Sequence, residues 1–307
     1  MSKGNPEPIV AVGTIGIDTI ETPTDRAEGV LGGSGTYFSL AASMFAPVSL
    51  VAVAGEDMSQ DQWNQLRRPN VDLEGVEIVP GGKTFSWGGL YHKDVNRRDT
   101  LFTNLGVLER FNPVVPESRR ACRTVFLANI DPGSQLKVLD QMPNVGFVVT
   151  DTMNFWISGD LERLKQVLRR TDCLILNDDE ARQLTGCLNL TEALDSVQAM
   201  GPKMVVLKKG EHGAVLAVGR ELFALPGYPL RSVLDPTGAG DTFAGGFVGY
   251  IQRRSDRSRE TLRAAVVYGS AVASFCCEDF SVRRLARLNM DELEARVQEF
   301  RELVNFQ

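Results

Sequence analysis

Short apolar segments rich in β-branched residues alternate along this chain with stretches of helical pattern. The apolar segments cover residues 9–13, 48–55, 124–130, 145–151, 173–177 and 204–210. The helical pattern covers residues 37–45, 161–169, 179–184, 190–200, 242–252, 262–275 and 290–304. Continuous apolar strands suit a parallel sheet that is covered on both faces. The alternation therefore predicts an α/β fold around one large core.

Two stretches interrupt this alternation. Residues 18–31 are polar and rich in threonine, and residues 83–105 contain the strand-like segments KTFSWGGLYH and TLFTNLG around the charged turn DVNRRD. They predict a small sheet beside the main body, either as two surface hairpins or as a lid that excludes water from a substrate. We therefore divide the chain into a core (1–17, 32–82 and 106–307) and a discontinuous β lid.

The composition favours a small ligand over a polyanion. The 307 residues carry a formal net charge of −6, and a net negative surface attracts neither nucleic acid nor an anionic membrane. No window has the length of a membrane span and the first residues lack a signal peptide, so we expect a cytoplasmic protein. Five cysteines without metal-ligand spacing are expected to be reduced, and two histidines make a zinc site or a histidine-based triad unlikely to form.

The string DPTGAGDTFAGG at 235–246 carries the strongest chemical signal. Gly238, Ala239 and Gly240 come just before a helical pattern, where backbone N–H groups and the positive end of the helix dipole attract an anion. Asp241 follows at once, so its carboxylate is predicted to take the proton of an attacking hydroxyl beside that anion site. The alternative is that Asp241 caps the helix and the glycines form a tight turn.

This string resembles the second signature of the PfkB, or ribokinase-like, family of carbohydrate and nucleoside kinases. The resemblance implies a ribokinase-like three-layer α/β/α core with a mostly parallel central sheet and a small β-sheet lid. It implies an ATP-dependent kinase that uses Mg²⁺, and in some members K⁺, to transfer the γ-phosphoryl group to a hydroxyl of a small sugar or polyol. A nucleoside kinase of the same family is the alternative, and a non-catalytic ligand-binding homologue is a further one.

The resemblance extends to the acceptor side. Asp18 follows the first strand in GTIGID, where the family has an acid that binds substrate hydroxyls, and GGSGTYFSLAAS resembles the first family signature. Gly32 and Gly33 would let the backbone approach the substrate closely. Asn129 and Asp131 fall where relatives have substrate-side contacts.

Tyr37 departs from the family pattern, which has a sugar-binding asparagine at this position. An aromatic side chain offers a hydroxyl and a stacking face but lacks the paired donor and acceptor of an amide. Phe85, Trp87 and Gly89 share one face of a predicted lid strand and could stack on a base or a sugar ring. The departure leaves the acceptor open.

The resemblance also assigns residues to the nucleotide and its metals. Asn177 and Glu180 match an N-x-x-E element that handles Mg²⁺ through water and phosphate, although the same spacing forms a helix capping box. The remaining predicted contacts are to ATP by Lys208, Gly210, Gly213 and Thr237, and to a monovalent cation by Asp235.

Other readings are weaker. GTIGID lacks the G-x-G-x-x-G spacing that brings backbone to a pyrophosphate, which disfavours a dinucleotide-dependent oxidoreductase. Unpaired lid edges and aromatic side chains predict a homodimer formed through the lid.

Overall fold

The computed structural model describes residues 6–305, so residues 1–5 and 306–307 of the predicted core lie outside it. The strands are β1 (Ile9–Val12), β2 (Gly16–Glu21), β3 (Arg26–Gly32), β4 (Val48–Gly55), β5 (Val71–Asp72), β6 (Val76–Val79), β7 (Phe85–Tyr91), β8 (Arg98–Asn104), β9 (Thr124–Leu127), β10 (Phe147–Asp151), β11 (Cys173–Asn177), β12 (Met204–Lys208), β13 (Ala214–Val218) and β14 (Glu221–Leu225). The α-helices are α1 (Ser34–Ala42), α2 (Gln60–Leu66), α3 (Pro132–Gln141), α4 (Asn154–Gly159), α5 (Leu161–Leu168), α6 (Asp178–Thr185), α7 (Leu190–Gln198), α8 (Ala239–Arg254), α9 (Arg259–Cys276), α10 (Arg283–Arg287) and α11 (Met290–Val304).

Ten strands form the main sheet. Its order is β14-β13-β12-β11-β10-β9-β1-β4-β5, with β6 paired to β4. The strands from β12 to β5 and β6 pair in parallel, and β13 and β14 add an antiparallel hairpin at one edge. The predicted α/β class with a mostly parallel sheet is confirmed, whereas the sequence analysis did not predict the edge hairpin.

Helices cover both faces of this sheet. Ile9 and Ala11 of β1 point to one side, into a core shared with α1, α8, α9 and α11. Val10 and Val12 alternate to the other side, where they pack with α3 and α5. A second cluster on that side joins β11 and β12 to α6 and α7. Side chains of successive strand residues point to opposite faces, so the unbroken apolar runs supply both cores at once.

A separate four-stranded sheet has the order β3-β2-β7-β8. The β2–β3 and β7–β8 pairs are antiparallel hairpins, and β2 pairs with β7 in parallel. The two stretches that interrupt the alternation therefore form one small sheet and not two independent hairpins. Its strands β2 and β3 extend to Gly16 and Gly32, slightly beyond the predicted 18–31 segment. The division into core and lid domains stays a prediction.

The carboxyl ends of the parallel strands meet at one edge of the main sheet. Asp151, Asn177 and Lys208 are the last residues of β10, β11 and β12, and Asn129 follows β9 by two residues. The chain enters the lid from the same edge, three residues after β1 ends. Open α/β sheets bind their ligands at this edge.

Other expectations concern the whole chain. Within residues 6–305 no helix is both long and apolar enough to cross a membrane. All five cysteines are free thiols, of which three are buried and Cys187 and Cys277 are half-buried. The cytoplasmic location stays a prediction.

Candidate active site

The residues of the predicted anion site lie at the start of α8, with one change of register. Gly238 is the N-cap in the left-handed conformation, with φ +75°, and the helix begins at Ala239. Ala239 and Gly240 therefore belong to the first turn and do not precede it. The Ala239 N–H donates to the Pro236 carbonyl oxygen at 3.2 Å. An α-helix offers no acceptor to the N–H groups of its first turn, and the Asp241 N–H lowers the pKa of its own carboxyl.

Lys208 lies directly beside this turn. Its Nζ is 3.5 Å from Asp151 Oδ1, and a Cβ added to Gly240 would lie 2.9 Å from the same Nζ. Burial lowers the pKa of Lys208, but Asp151, Glu180 and Asp241 outweigh it and hold the pKa above its ordinary value. The lysine is therefore a fixed cation within the site.

The sequence analysis missed Asp151. Its side chain is only 5% exposed, and burial raises its pKa while Lys208 opposes the shift. The available signal was an acid that ends the apolar segment VGFVVTD, because parallel strands bring their last residues to the ligand-binding edge.

Asp241 is half-buried in the first turn of α8. Burial, followed by the charge of Asp151, raises the pKa of its carboxyl to about 7, while Lys208 and Arg98 oppose the shift. A carboxyl group with a pKa near neutrality is well matched to accept a proton at physiological pH. Arg98 begins β8 in the lid, and the sequence analysis did not select it.

Asn177 and Glu180 form the capping box of α6. Asn177 Oδ1 accepts the Glu180 N–H at 2.8 Å, and Glu180 Oε2 accepts the Asn177 N–H at 2.7 Å. Burial raises the pKa of Glu180 to about 7, although Lys208 opposes the shift. The capping alternative is thus confirmed, and the metal role stays a prediction.

The donor set suits Mg²⁺ better than a metal held entirely by protein. Within residues 6–305 no group of three or more His, Cys, Asp or Glu side chains could enclose an ion. Mg²⁺ commonly takes only one or two carboxylates, with waters and substrate phosphates completing its octahedron. Glu180, with Asn177 beside it, fits this arrangement.

Asp18 provides the acceptor side with a buried carboxylate. It lies within β2 and is 4% exposed, and its Oδ1 has no hydrogen-bond partner in the described part of the chain. Burial, and then the charge of Asp235, raises its pKa to about 7, although the Trp87 backbone N–H opposes the shift. A Cβ on Gly32 would lie 1.9 Å from Asp18 Oδ2, so glycine is required there. A buried unpaired acceptor fits a hydroxyl donor from a ligand.

Tyr37 is placed under the anion site and not beside an open pocket. It is 1% exposed, and a Cβ on Gly238 would lie 2.4 Å from its ring. Its hydroxyl has no partner among residues 6–305. The ring therefore supports Gly238, and its stacking face is covered. Gly33, with φ +98°, is the N-cap of the helix that carries Tyr37.

Asp235 and Thr237 connect the same loop to the lid. Asp235 accepts the backbone N–H groups of Thr237 at 2.8 Å and Ser281 at 3.0 Å. Thr237 Oγ1 donates to the hydroxyl of Tyr91, on lid strand β7, at 3.0 Å. Their predicted cation and nucleotide roles stay predictions.

Four other residues with predicted binding roles contact protein groups that lie outside α8. Asn129 contacts Met153 Sδ and accepts the Trp156 Nε1–H at 2.9 Å, and Asp131 caps α3. Gly210 and Gly213 have φ +54° and +87° in the turn after β12. A Cβ on Gly213 would lie 2.0 Å from the Leu225 carbonyl oxygen, so this glycine is also a packing requirement.

Comparison with known proteins agrees with this geometry. The model of the pfkB family of carbohydrate kinases matches residues 9–287. The chain belongs to this family. It is accordingly a kinase, a phosphotransferase with an alcohol group as acceptor, and the predicted family membership is confirmed.

Three relatives illustrate the similarity. The cytidine kinase of Thermococcus kodakarensis is 31% identical over 273 residues, which cover 83% of this chain and 96% of that protein. A nucleoside kinase of Methanothermobacter thermautotrophicus is 24% identical over 84% of this chain and 82% of that protein. The E. coli protein named Ribokinase II, solved with ATP and Mg²⁺, has a TM-score of 0.78 at 20% identity, covering 95% of this chain and 99% of that one. The ribokinase-like fold is confirmed.

The carboxyl groups of this pfkB-family kinase predict its pH dependence. Since a general base must be ionised, we expect kcat/KM to rise with pH through an apparent pKa near 7 and then level off. That pKa belongs jointly to Asp241 and the neighbouring Asp151, because coupled groups titrate together. Lys208→Met removes a cation that favours the ionised form of Asp241, so the rise in kcat/KM (the acid limb of the pH profile) should move to higher pH. Lys209→Met should leave the limb in place, and equal profiles for both variants would contradict this account.

Proposed function

We propose that this kinase transfers the γ-phosphoryl group of ATP to a ribosyl hydroxyl of a nucleoside, with Asp241 as the general base. One observation carries the proposal: the Asp241 carboxylate lies in the first turn of α8, next to Gly240 and the Lys208 ammonium. Charge that develops on a transferred phosphoryl group is stabilised by such fixed donors. A base and an anion site are then side by side.

The reaction uses these groups in one displacement. The acceptor oxygen bonds to the γ-phosphorus while the bond from this phosphorus to the β–γ bridging oxygen breaks, and ADP leaves with that oxygen. Asp241 takes the acceptor proton. The N–H groups at the start of α8 and the Lys208 ammonium offset the negative charge of the phosphoryl oxygens.

Asp18 positions the acceptor from the lid side. Its unpaired Oδ1 accepts a hydrogen bond from a hydroxyl of the substrate, and Gly32 and Gly33 let the backbone approach the same molecule. When bound, Mg²⁺ neutralises phosphate charge and orients the triphosphate, and Glu180 with Asn177 would hold it, in part through water.

Two observations favour a nucleoside over a free sugar. Trp87 is half-buried and pairs with Asp18 in the β2–β7 register, so an aromatic residue neighbours the proposed hydroxyl-binding acid in the small sheet. The ring covers Gly89, where an added Cβ would lie 2.0 Å from Trp87 Cη2, and the Arg98 guanidinium carbon lies 5.2 Å from the ring centroid. A nucleobase would therefore contact the edge of the ring while its ribose contacts Asp18. Relatives named cytidine kinase and nucleoside kinase agree with this choice.

Replacing the base tests the mechanism. Asp241→Asn keeps the size of the side chain but cannot take a proton, so kcat should fall on the order of 10²-fold or more. Asp179→Asn is the matched control, because Asp179 is also an acid in the first turn of a helix but is 95% exposed. ADP formation with saturating acceptor measures both. Near wild-type turnover of Asp241→Asn would discard this role.

A substrate panel tests the acceptor. Cytidine, other nucleosides, free ribose, hexoses and inositols are compared by ADP release, and a nucleoside should give the highest kcat/KM. Trp87→Leu should raise KM for that nucleoside about fivefold, because an edge contact between aromatic rings is worth about 0.5–1.5 kcal/mol, with less effect on ribose. Faster turnover of a free sugar would favour the sugar-kinase alternative. The panel in KCl and in NaCl also tests whether the Asp235 loop supports activation by K⁺.

The lid edge suggests how two copies associate. Every residue of β8 is exposed, including Leu101 at 50% and Phe102 at 37%, and edge strands with apolar residues pair readily. We infer a homodimer through the lid. Light scattering at micromolar concentration should give about twice the 33.7 kDa chain mass, and Leu101→Glu should lower it. A monomer for the unmodified protein would remove this proposal.

A further inference from the structure

Asn129 and Trp156 form a hydrogen bond that the function described above does not use. Asn129 follows β9 by two residues, and Trp156 lies in α4, the helix after β10. The indole Nε1–H donates to Asn129 Oδ1 at 2.9 Å, and Asn129 Nδ2 lies 3.0 Å from Met153 Sδ. Both Asn129 and Trp156 are half-buried. The pair thus connects the ends of two neighbouring strands at the ligand-binding edge of the main sheet.

The chemistry of the indole fixes the orientation of the Asn129 amide. An indole nitrogen can only donate a hydrogen bond, so the atom that it contacts must be the amide oxygen. The amide nitrogen then faces the Met153 thioether, which is a weak acceptor. Within residues 6–305 the second N–H of the amide has no acceptor. The Asn129 side chain is therefore held as a hydrogen-bond donor for a ligand.

The backbone of Asn129 adjoins the segment that contacts Asp18. The Ser34 hydroxyl donates to the Asn129 carbonyl oxygen at 3.2 Å. Ser34 is the first residue of α1 and follows Gly33, the N-cap of that helix. A Cβ on the preceding Gly32 would lie 1.9 Å from Asp18 Oδ2. Three successive residues thus separate the lid carboxylate from the strand end that carries the donor amide.

Asp18 and Asn129 together match the two sides of a hydroxyl group. A hydroxyl donates one hydrogen and also accepts through its lone pairs. The ionised carboxylate of Asp18 can only accept, and its Oδ1 is buried and unpaired in the described part of the chain. Tyr37 does not supply the complementary donor, because its ring is covered by Gly238 and its hydroxyl is buried. The Asn129 amide does supply one.

We propose that Asn129 donates to the oxygen of a ribosyl hydroxyl whose hydrogen Asp18 accepts, and that Trp156 holds the amide in the donating orientation. The inference deepens the proposed nucleoside kinase and rests on that function. This hydroxyl is distinct from the attacking one, whose proton Asp241 takes. Asn129 contacts the substrate, whereas Trp156 is a positioning residue because it acts through the amide. Neither gives up nor takes a proton, so the displacement is unchanged.

The affinities for deoxynucleosides measure this contact. The ligands are cytidine, 2′-deoxycytidine and 3′-deoxycytidine, titrated by calorimetry without a nucleotide at about pH 8, where Asp18 is mostly ionised because its pKa is about 7. Asn129→Asp keeps the size of the side chain and an acceptor for the indole, but its carboxylate cannot donate. Trp156→Phe keeps a ring beside Phe155 and removes the indole N–H.

Two control variants make the same changes at other positions. Trp63→Phe removes an indole N–H from α2, where the side chain packs against the main core. Asn154→Asp adds the same negative charge in the first turn of α4, on an exposed side chain. The first control measures the cost of losing an indole, and the second measures the effect of charge near the site.

The unmodified protein should bind one deoxy analogue at least about tenfold more weakly than cytidine, because Asp18 and Asn129 both lose a partner. The weaker analogue identifies the hydroxyl. In Asn129→Asp this ratio of affinities should fall to about threefold or less, because only one contact with the hydroxyl remains, and Trp156→Phe should give an intermediate ratio. Adding Trp156→Phe to Asn129→Asp should change nothing further, since the indole acts through the amide. Both controls should keep the ratio of the unmodified protein.

A ratio of two affinities does not depend on the folded fraction, so a loss of stability cannot imitate the expected result. Equal binding of all three nucleosides by the unmodified protein would overturn the proposal, as would a Trp156→Phe ratio that matches Trp63→Phe. If Asn129→Asp weakens cytidine but keeps the ratio, the amide contacts the base and the proposal is wrong. If the unmodified protein binds no nucleoside and phosphorylates a free sugar, the nucleoside function fails as well.

Discussion

The ion pair between Lys208 and Asp151, at the carboxyl ends of β12 and β10 on either side of β11, is the interaction on which the rest of the site depends. Lys208 is half-buried beside the first turn of α8, where the helix dipole disfavours a cation. Without Asp151 the ammonium would lose its largest counter-charge, and only Glu180 and Asp241 would offset its lost hydration. With it, a permanent positive charge lies next to the N–H groups that face the proposed phosphoryl group.

The same burial sets the acidity of the proposed reacting groups. Asp18, Glu180 and Asp241 each have a pKa of about 7, and burial is the first cause in each case. Carboxylates with incomplete hydrogen bonding destabilise the folded state. Proteins commonly keep such groups where a bound ligand completes their hydrogen bonds. In the proposed mechanism Asp18 binds an acceptor hydroxyl, Glu180 a phosphate-bound metal ion, and Asp241 takes the proton of the attacking hydroxyl.

The lid completes the site because it is anchored to the core at several points. Tyr91 meets Thr237, Asn96 meets Glu211, and Ser281 donates a short hydrogen bond to the Leu31 carbonyl oxygen. These contacts hold the small sheet beside the carboxyl edge of the main sheet, the edge at which open α/β sheets bind their ligands.

The sequence by itself determined the fold class and identified the candidate anion site and the candidate base. Unbroken apolar strands can be buried only between two helical layers, and the string from Asp235 to Gly246 has local geometry that its glycines alone permit. The capping box at Asn177 was likewise readable, because its residues are three apart. Local periodicity and short spacing are properties of a sequence.

Only the tertiary structure decided which distant residues share the site. Asp151 lies 57 residues before Lys208, and no spacing rule connects them until parallel strands bring their ends together. It also covered the ring of Tyr37 with Gly238 and placed Arg98, one of two adjacent arginines, over the Trp87 ring. Electrostatic and packing contacts depend on distance in space, and that distance is set when the sheets and helices assemble.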